Sequence, residues 1–198
     1  MDSEDSMSSI EEWLSRGDLR SDGAANEVVD LVLQKPDLIE DVLGALRMAD
    51  EVVRGHAADA LEKIARSSPA LLIDHIDEIM ATAWRDEVPM VRWHLAMILG
   101  HLSLYEAHVE KILNTLIQLL DDDSVFVQSW SIVSLCVVAR GYPQRSSEVL
   151  TKIERLRQSE SAAIRTKVRQ AVNLLIDPDQ PFPKGWIKCK HLRDLELH

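Results

Sequence analysis

The sequence predicts an all-α chain built as a right-handed α-solenoid of about four to five stacked helix pairs. Three observations carry that prediction. Leu, Ile, Val and Ala recur at three- and four-residue intervals between charges, which is the spacing of one helix face. Gly is scarce, at 7 of 198 residues, and turn residues do not cluster at strand-length intervals, which argues against a sandwich or barrel. A Val-Arg or Val-Gln or Ile-Arg anchor recurs with its second residue at Arg54, Arg92, Gln128 and Arg165, spaced 38, 36 and 37 residues apart.

Each anchor opens a helix, here called an A helix. Six residues beyond it stand Ala60, Ile98, Ser134 and Ala171; seven beyond, Leu61, Leu99, Leu135 and Val172; ten beyond, Ile64, Leu102, Val138 and Leu175. Those offsets fall on one stripe of a 3.6-residue helix. A second, B helix follows each A helix. Pro36, Pro69 and Pro143 each open an apolar-periodic stretch, as proline suits a first helical turn, and Ser68 is the expected N-cap before Pro69. The B helices are expected over 36–48, 69–84, 106–121 and 145–157. The first repeat, "AANEVVDLVLQKPDLIEDVLGALRMA", has two helices' worth of pattern without the anchor. The last A helix spans about 161–176 and no B helix follows it.

These residues resemble the HEAT repeat, an armadillo-like α-solenoid unit. The segments that carry the resemblance are "DEVVRGHAADALEKIA", "DEVPMVRWHLAMILGHL" and "DDDSVFVQSWSIVSLCVVA", and it extends over residues 24–176. It implies a charged ladder between neighbouring repeats, formed by Arg54, Arg92 and Arg165 with Asp50, Asp86 and Asp122 or Asp123. Gln128 interrupts that ladder. The organisation expected is an acidic N-terminal extension (1–22), partly disordered or forming a short helix, a repeat domain (23–176), and a proline-rich capping tail (177–198). In the tail Phe182, Trp186 and Ile187 are expected to cover the open end of the stack.

Composition bounds the function. Two cysteines, Cys136 and Cys189, make no disulfide framework. "MDSEDSMSSIEEW" lacks the basic and apolar regions of a signal peptide, and no apolar run is long enough to span a membrane, so a cytoplasmic protein is expected. No phosphate-binding glycine loop or nucleophile elbow is present, and neither catalysis nor a cofactor is expected. His94, His101 and His108 are spaced by seven, about 10.5 Å along one helix, too far apart to share a zinc ion. The tail adds Cys189-x-His191, a weak signal alone, so no metal site is expected. His56 and His94 share the offset two beyond the anchor with Trp130 and Lys167, which reads as an inter-repeat surface row.

Charge is unevenly spread. Residues 1–139 carry 10 basic and 26 acidic side chains, and 140–198 carry 12 and 7. That asymmetry suits a basic partner on the repeats, an acidic partner at the C-terminal third, head-to-tail self-association, or a merely solubilising surface. Because solenoids offer long concave surfaces and no chemical motif is present, a protein scaffold or adaptor that receives a partner on its concave B-helix face is expected, with Asp74, Asp77, Lys111, Asn114 and Arg155 as contacts. Complementary fields would steer such an encounter. The resemblance also admits enzymes. Some HEAT-like solenoids are DNA-repair glycosylases with a basic cleft, and others attach or detach bilins. Trp84 near Asp86 is the best candidate pocket for such chemistry. The acidic first full repeat argues against a continuous nucleic-acid groove, leaving Lys152, Arg155, Arg157, Arg165, Lys167 and Arg169 as a local basic contact.

Overall fold

A computed structural model describes residues 10–193. Residues 1–9 of the expected acidic extension, and 194–198 with His198, lie outside that range. Every regular element among the described residues is a helix. The helices follow one another as A and B pairs, an all-α HEAT/armadillo-like repeat fold. They form two compact units that divide between Ile98 and Leu99.

The first unit contains α1 (Ala25–Gln34), α2 (Ile39–Ala45), α3 (Glu51–Ser67), α4 (Ile76–Arg85) and most of α5 (Pro89–Leu102). Helices α1 and α2 both pack on α3. The second unit contains the last turn of α5, then α6 (Val109–Gln118), α7 (Val125–Gly141), α8 (Ser146–Glu154), α9 (Ala162–Ile176) and a short α10 (Lys190–Arg193). Within it α7 is the hub, packed against α6, α8 and α9. The stripe read from the sequence is the core: Leu61, Leu99, Leu135, Ile64, Leu102 and Val138 have no exposed surface.

Helix boundaries follow local chemistry. Asp50 Oδ1 accepts from the Val52 and Val53 N–H groups at 2.7 and 3.4 Å. Asp86 Oδ1 accepts from Val88 at 2.8 Å and Asp122 Oδ1 from Ser124 at 2.7 Å. At the first three anchors an acidic residue thus caps amides that the helix itself leaves unpaired, and at the fourth Ser161 Oγ does so for Ile164. At the third rung the cap is Asp122, and Asp123 is exposed.

The prolines do something other than expected. Pro36, Pro69 and Pro143 each begin a 3-10 turn, and the α-helix starts only afterwards. The preceding residues, Lys35, Ser68 and Tyr142, share φ between −139° and −133° and ψ between 59° and 83°, since proline bars the helical region to the residue before it. Ser68 makes no side-chain cap there; its N–H instead closes α3 on the Ile64 carbonyl.

Helix α7 is buried over nine consecutive residues, Ser131–Ala139, and a helix apolar all round must be covered all round. In the second unit it packs against Gly100, near the end of α5. A Cβ there would lie 2.6 Å from Ser134 Oγ and 3.3 Å from its Cα. The hydroxyl can rotate away but the backbone cannot. Gly100→Ala is expected to lose roughly 1–3 kcal/mol through overpacking, seen as a lower urea midpoint with unchanged m-value. An unchanged midpoint would mean the helices separate freely at this crossing.

Candidate functional site

In the second unit the proline-rich tail has a definite course. Pro178, Pro181 and Pro183 keep it out of regular helix, and it runs back across A-helix residues. Arg140 on α7 donates to the Gln180 carbonyl at 2.8 Å and stands 5.1 Å from the Phe182 ring. Lys167 on α9 lies 4.7 Å from the Trp186 ring and 5.9 Å from that of Trp130, and Lys188 reaches 4.8 Å from Trp130. Each is a cation held over an aromatic face. Phe182 and Trp186 are buried. Burial lowers the Lys167 pKa below its ordinary value, because the ammonium loses hydration. The tail therefore crosses α9, the last of the repeat helices, and α7. Lys167 serves this crossing and is only half exposed, unlike the open basic residue the sequence suggests.

The crossing ends at three side chains. His101 lies in the last turn of α5, and Cys189 and His191 flank the start of α10. Cys189 Sγ is 3.4 Å from His101 Nδ1 and 3.7 Å from His191 Nε2. The three potential ligand atoms all lie within 4.8 Å of one another. The imidazole centroids are 5.4 Å apart. His101 and Cys189 are buried and His191 half-buried. A thiol and two imidazoles converging from chain segments 88 residues apart were not foreseen. The spacing of seven asks only whether one helix supplies two ligands. His94 turns to Asp59 Oδ1 at 3.4 Å and to the Met90 carbonyl at 2.9 Å, and takes no part. Cys189-x-His191 was the available signal, and nothing local names its third member.

The other expected residues divide by unit. In the first, Asp74 and Asp77 are exposed on and just before α4. In the second, Lys111 and Asn114 are exposed on α6, and Arg155 is exposed with Nη2 3.6 Å from Asp121 Oδ1. Of the ladder residues, Arg54 Nε lies 2.8 Å from Asp86 Oδ2, with the two side chains only 15% and 6% exposed. Arg54 also donates to the Met48 and Ala49 carbonyls at 3.0 and 2.8 Å. Arg92 donates to the Asp86 carbonyl at 3.2 Å, and Arg165 to those of Ser159 and Glu160 at 2.7 and 2.8 Å. The recurring arginine thus binds the loop before its own helix. Trp84 is 58% exposed, and Asp86 pairs with Arg54 and caps the Val88 amide. Arg157, Arg165 and Arg169 line a cleft of about 340 Å³ with Val168, Val172 and Asn173.

The row His56, His94, Trp130 and Lys167 is not a surface row. In the first unit His56 is wholly buried, its ring nitrogens 2.7 Å from the Leu14 carbonyl and 3.1 and 3.0 Å from those of Asp18 and Ser21. Ile10 and Leu14 are buried too. Residues 10–23, expected as part of an extension, pack across α3 as the tail packs across α7.

No family model matches the chain, and no curated protein matches it in sequence. An engineered protein known from its crystal structure, Northeast Structural Genomics Consortium target OR329, aligns with a TM-score of 0.60 at 15% identity, over 86% of this chain and 79% of that one. A designed armadillo repeat protein, YIII(Dq)4CqI, aligns with a TM-score of 0.45 at 15% identity, over 88% of this chain and 94% of that one. The likeness to the first is one of fold. No helix among the described residues is long and apolar enough to cross a membrane.

Proposed function

We propose that this chain is a non-catalytic scaffold that receives a protein partner on its B-helix faces. One observation carries the reading. In each unit a terminal segment packs on the A helices, while charged residues on or beside the B helices stay exposed: Asp74 and Asp77 in the first unit, Lys111 and Arg155 in the second. A repeat surface with charges held on a rigid helix suits a partner of complementary charge.

The test is charge reversal on B-helix residues outside the core. Asp74→Lys with Asp77→Lys is expected to weaken a partner identified by salt-eluted affinity capture by at least tenfold, about 1.4 kcal/mol. Unchanged affinity in both this variant and Lys111→Glu with Arg155→Glu would reject the B-helix face. A second reading rests on the cleft between Arg157, Arg165 and Arg169, which offers charge to phosphates. If capture returns nucleic acid, and Arg165→Glu with Arg169→Glu abolishes it, that cleft is the binding site.

A further inference from the structure

We propose that His101, Cys189 and His191 bind a zinc ion, which fastens the tail to the last turn of α5. The argument begins with distances. Zinc holds thiolate sulfur at about 2.3 Å and imidazole nitrogen at about 2.0–2.1 Å, so the sulfur–nitrogen edge of a tetrahedral site is about 3.6 Å. The two sulfur–nitrogen separations here, 3.4 and 3.7 Å, bracket it. The nitrogen–nitrogen edge should be about 3.3 Å by the same geometry. The bound of 4.8 Å on all three separations leaves the nitrogens at most about 1.5 Å to close toward that edge, a shift that falls to His191, the half-buried member.

Ligand chemistry selects the ion. One thiolate and two neutral imidazoles form a soft nitrogen–sulfur set, which favours zinc over magnesium or calcium. Three protein ligands leave the fourth tetrahedral vertex to water, as in open zinc sites rather than in the fully protein-ligated structural ones. On binding, the Cys189 thiol gives up its proton to solvent and the sulfur takes the metal in its place. Lys188 and Lys190 flank Cys189, but both are exposed, where water screens their charge. The competing account is a purely hydrogen-bonded cluster. A single thiol proton can serve only one imidazole, so the second contact must then run from an imidazole N–H to sulfur, a weaker bond.

The site has a structural consequence. His191 and Cys189 lie at the far end of a segment otherwise held by cation–aromatic contacts at Arg140, Lys167 and Lys188. Metal binding would add its free energy to that docking by mass action.

The decisive experiment uses the full chain without a histidine tag, stripped of metal by a chelator. Zn(II) is titrated in competition with a chromophoric chelator, and Co(II) is then substituted and its absorption recorded. Stoichiometric Zn(II) is expected, together with a thiolate-to-Co(II) charge-transfer band and the intense ligand-field bands of tetrahedral coordination. Cys136 is buried in α7, so such a thiolate band reports Cys189. Cys189→Ser should lose the band and the stoichiometric zinc, and His108→Gln should keep both. Chelation of the wild type should speed proteolysis within 177–193. The proposal is overturned if the wild-type chain takes up no stoichiometric Zn(II), or if it binds Zn(II) but Co(II) shows no thiolate band. It is also overturned if Cys189→Ser binds Zn(II) as tightly as the wild type. The wild-type titrations decide the matter even if a variant misfolds.

Discussion

Arg54→Ala is expected to destabilise the chain by about 3 kcal/mol, the lower end of the cost of breaking a buried ion pair. The guanidinium meets three acceptors at once: Asp86 Oδ2 and the carbonyls of Met48 and Ala49. Alanine leaves a carboxylate only 6% exposed without its counter-charge, and frees two carbonyls at the end of the loop before α3. The measurement is urea unfolding of the single variants and of Arg54→Ala with Asp86→Ala. If the pair is the source, the double variant should be less destabilised than the sum of the two singles, by about 1 kcal/mol or more. Strict additivity would assign the effect to the carbonyl contacts alone. Arg54→Lys should recover little, because an ammonium cannot reproduce the planar fork.

His56→Ala is expected to cost a comparable amount, about 3 kcal/mol, from the cavity left by a buried ring and from carbonyls deprived of donors. Leu14, Asp18 and Ser21 offer carbonyl oxygens that can only accept, so each satisfied contact is a ring N–H donating. Gly23 shows how closely this ring is packed. It has φ +50°, and a Cβ on it would stand 2.6 Å from His56 Cε1. Loss of the imidazole should therefore release residues 10–23 ahead of the repeats. Amide exchange over 14–24 should accelerate while α3 stays protected. Equal protection of both segments, or acceleration spread evenly over the first unit, would show that His56 does not anchor the segment.

Much of the fold was legible because it is written locally. The anchor period gave the A helices, and offsets of six, seven and ten gave residues that prove fully buried, such as Leu61, Leu99 and Val138. Proline marked the B-helix starts, although the 3-10 turns went unseen because an i+3 ladder and an i+4 ladder share nearly one apolar pattern. The acidic residues before the anchor were read as ladder partners, and the structure gives them a capping task as well.

The surroundings of the outer A-helix row were not legible, for a different reason. His56 and Lys167 sit on a polar-looking row because their cover comes from segments without periodicity, residues 10–23 and 178–192. A proline-rich segment lacking a repeating pattern gives no hint of which helix it will cross. Cys189 meets His101 across 88 residues, beyond the reach of any spacing rule. The same limit applies to Trp186, whose ring lies 4.7 Å from Lys167 on α9.

The course of the tail ties its length to the number of repeats it crosses. From Asp177, just past α9, it must reach His101 at the end of α5 with the chain that lies before Cys189. Neighbouring helix axes are about 8–10 Å apart, and an extended residue advances about 3.3–3.6 Å. A helix pair duplicated between α5 and α9 would therefore carry Cys189 out of reach of His101 unless about three residues were added to the tail as well. The tail works as a ruler, and a longer member of this architecture would have to lengthen its stack and its strap together.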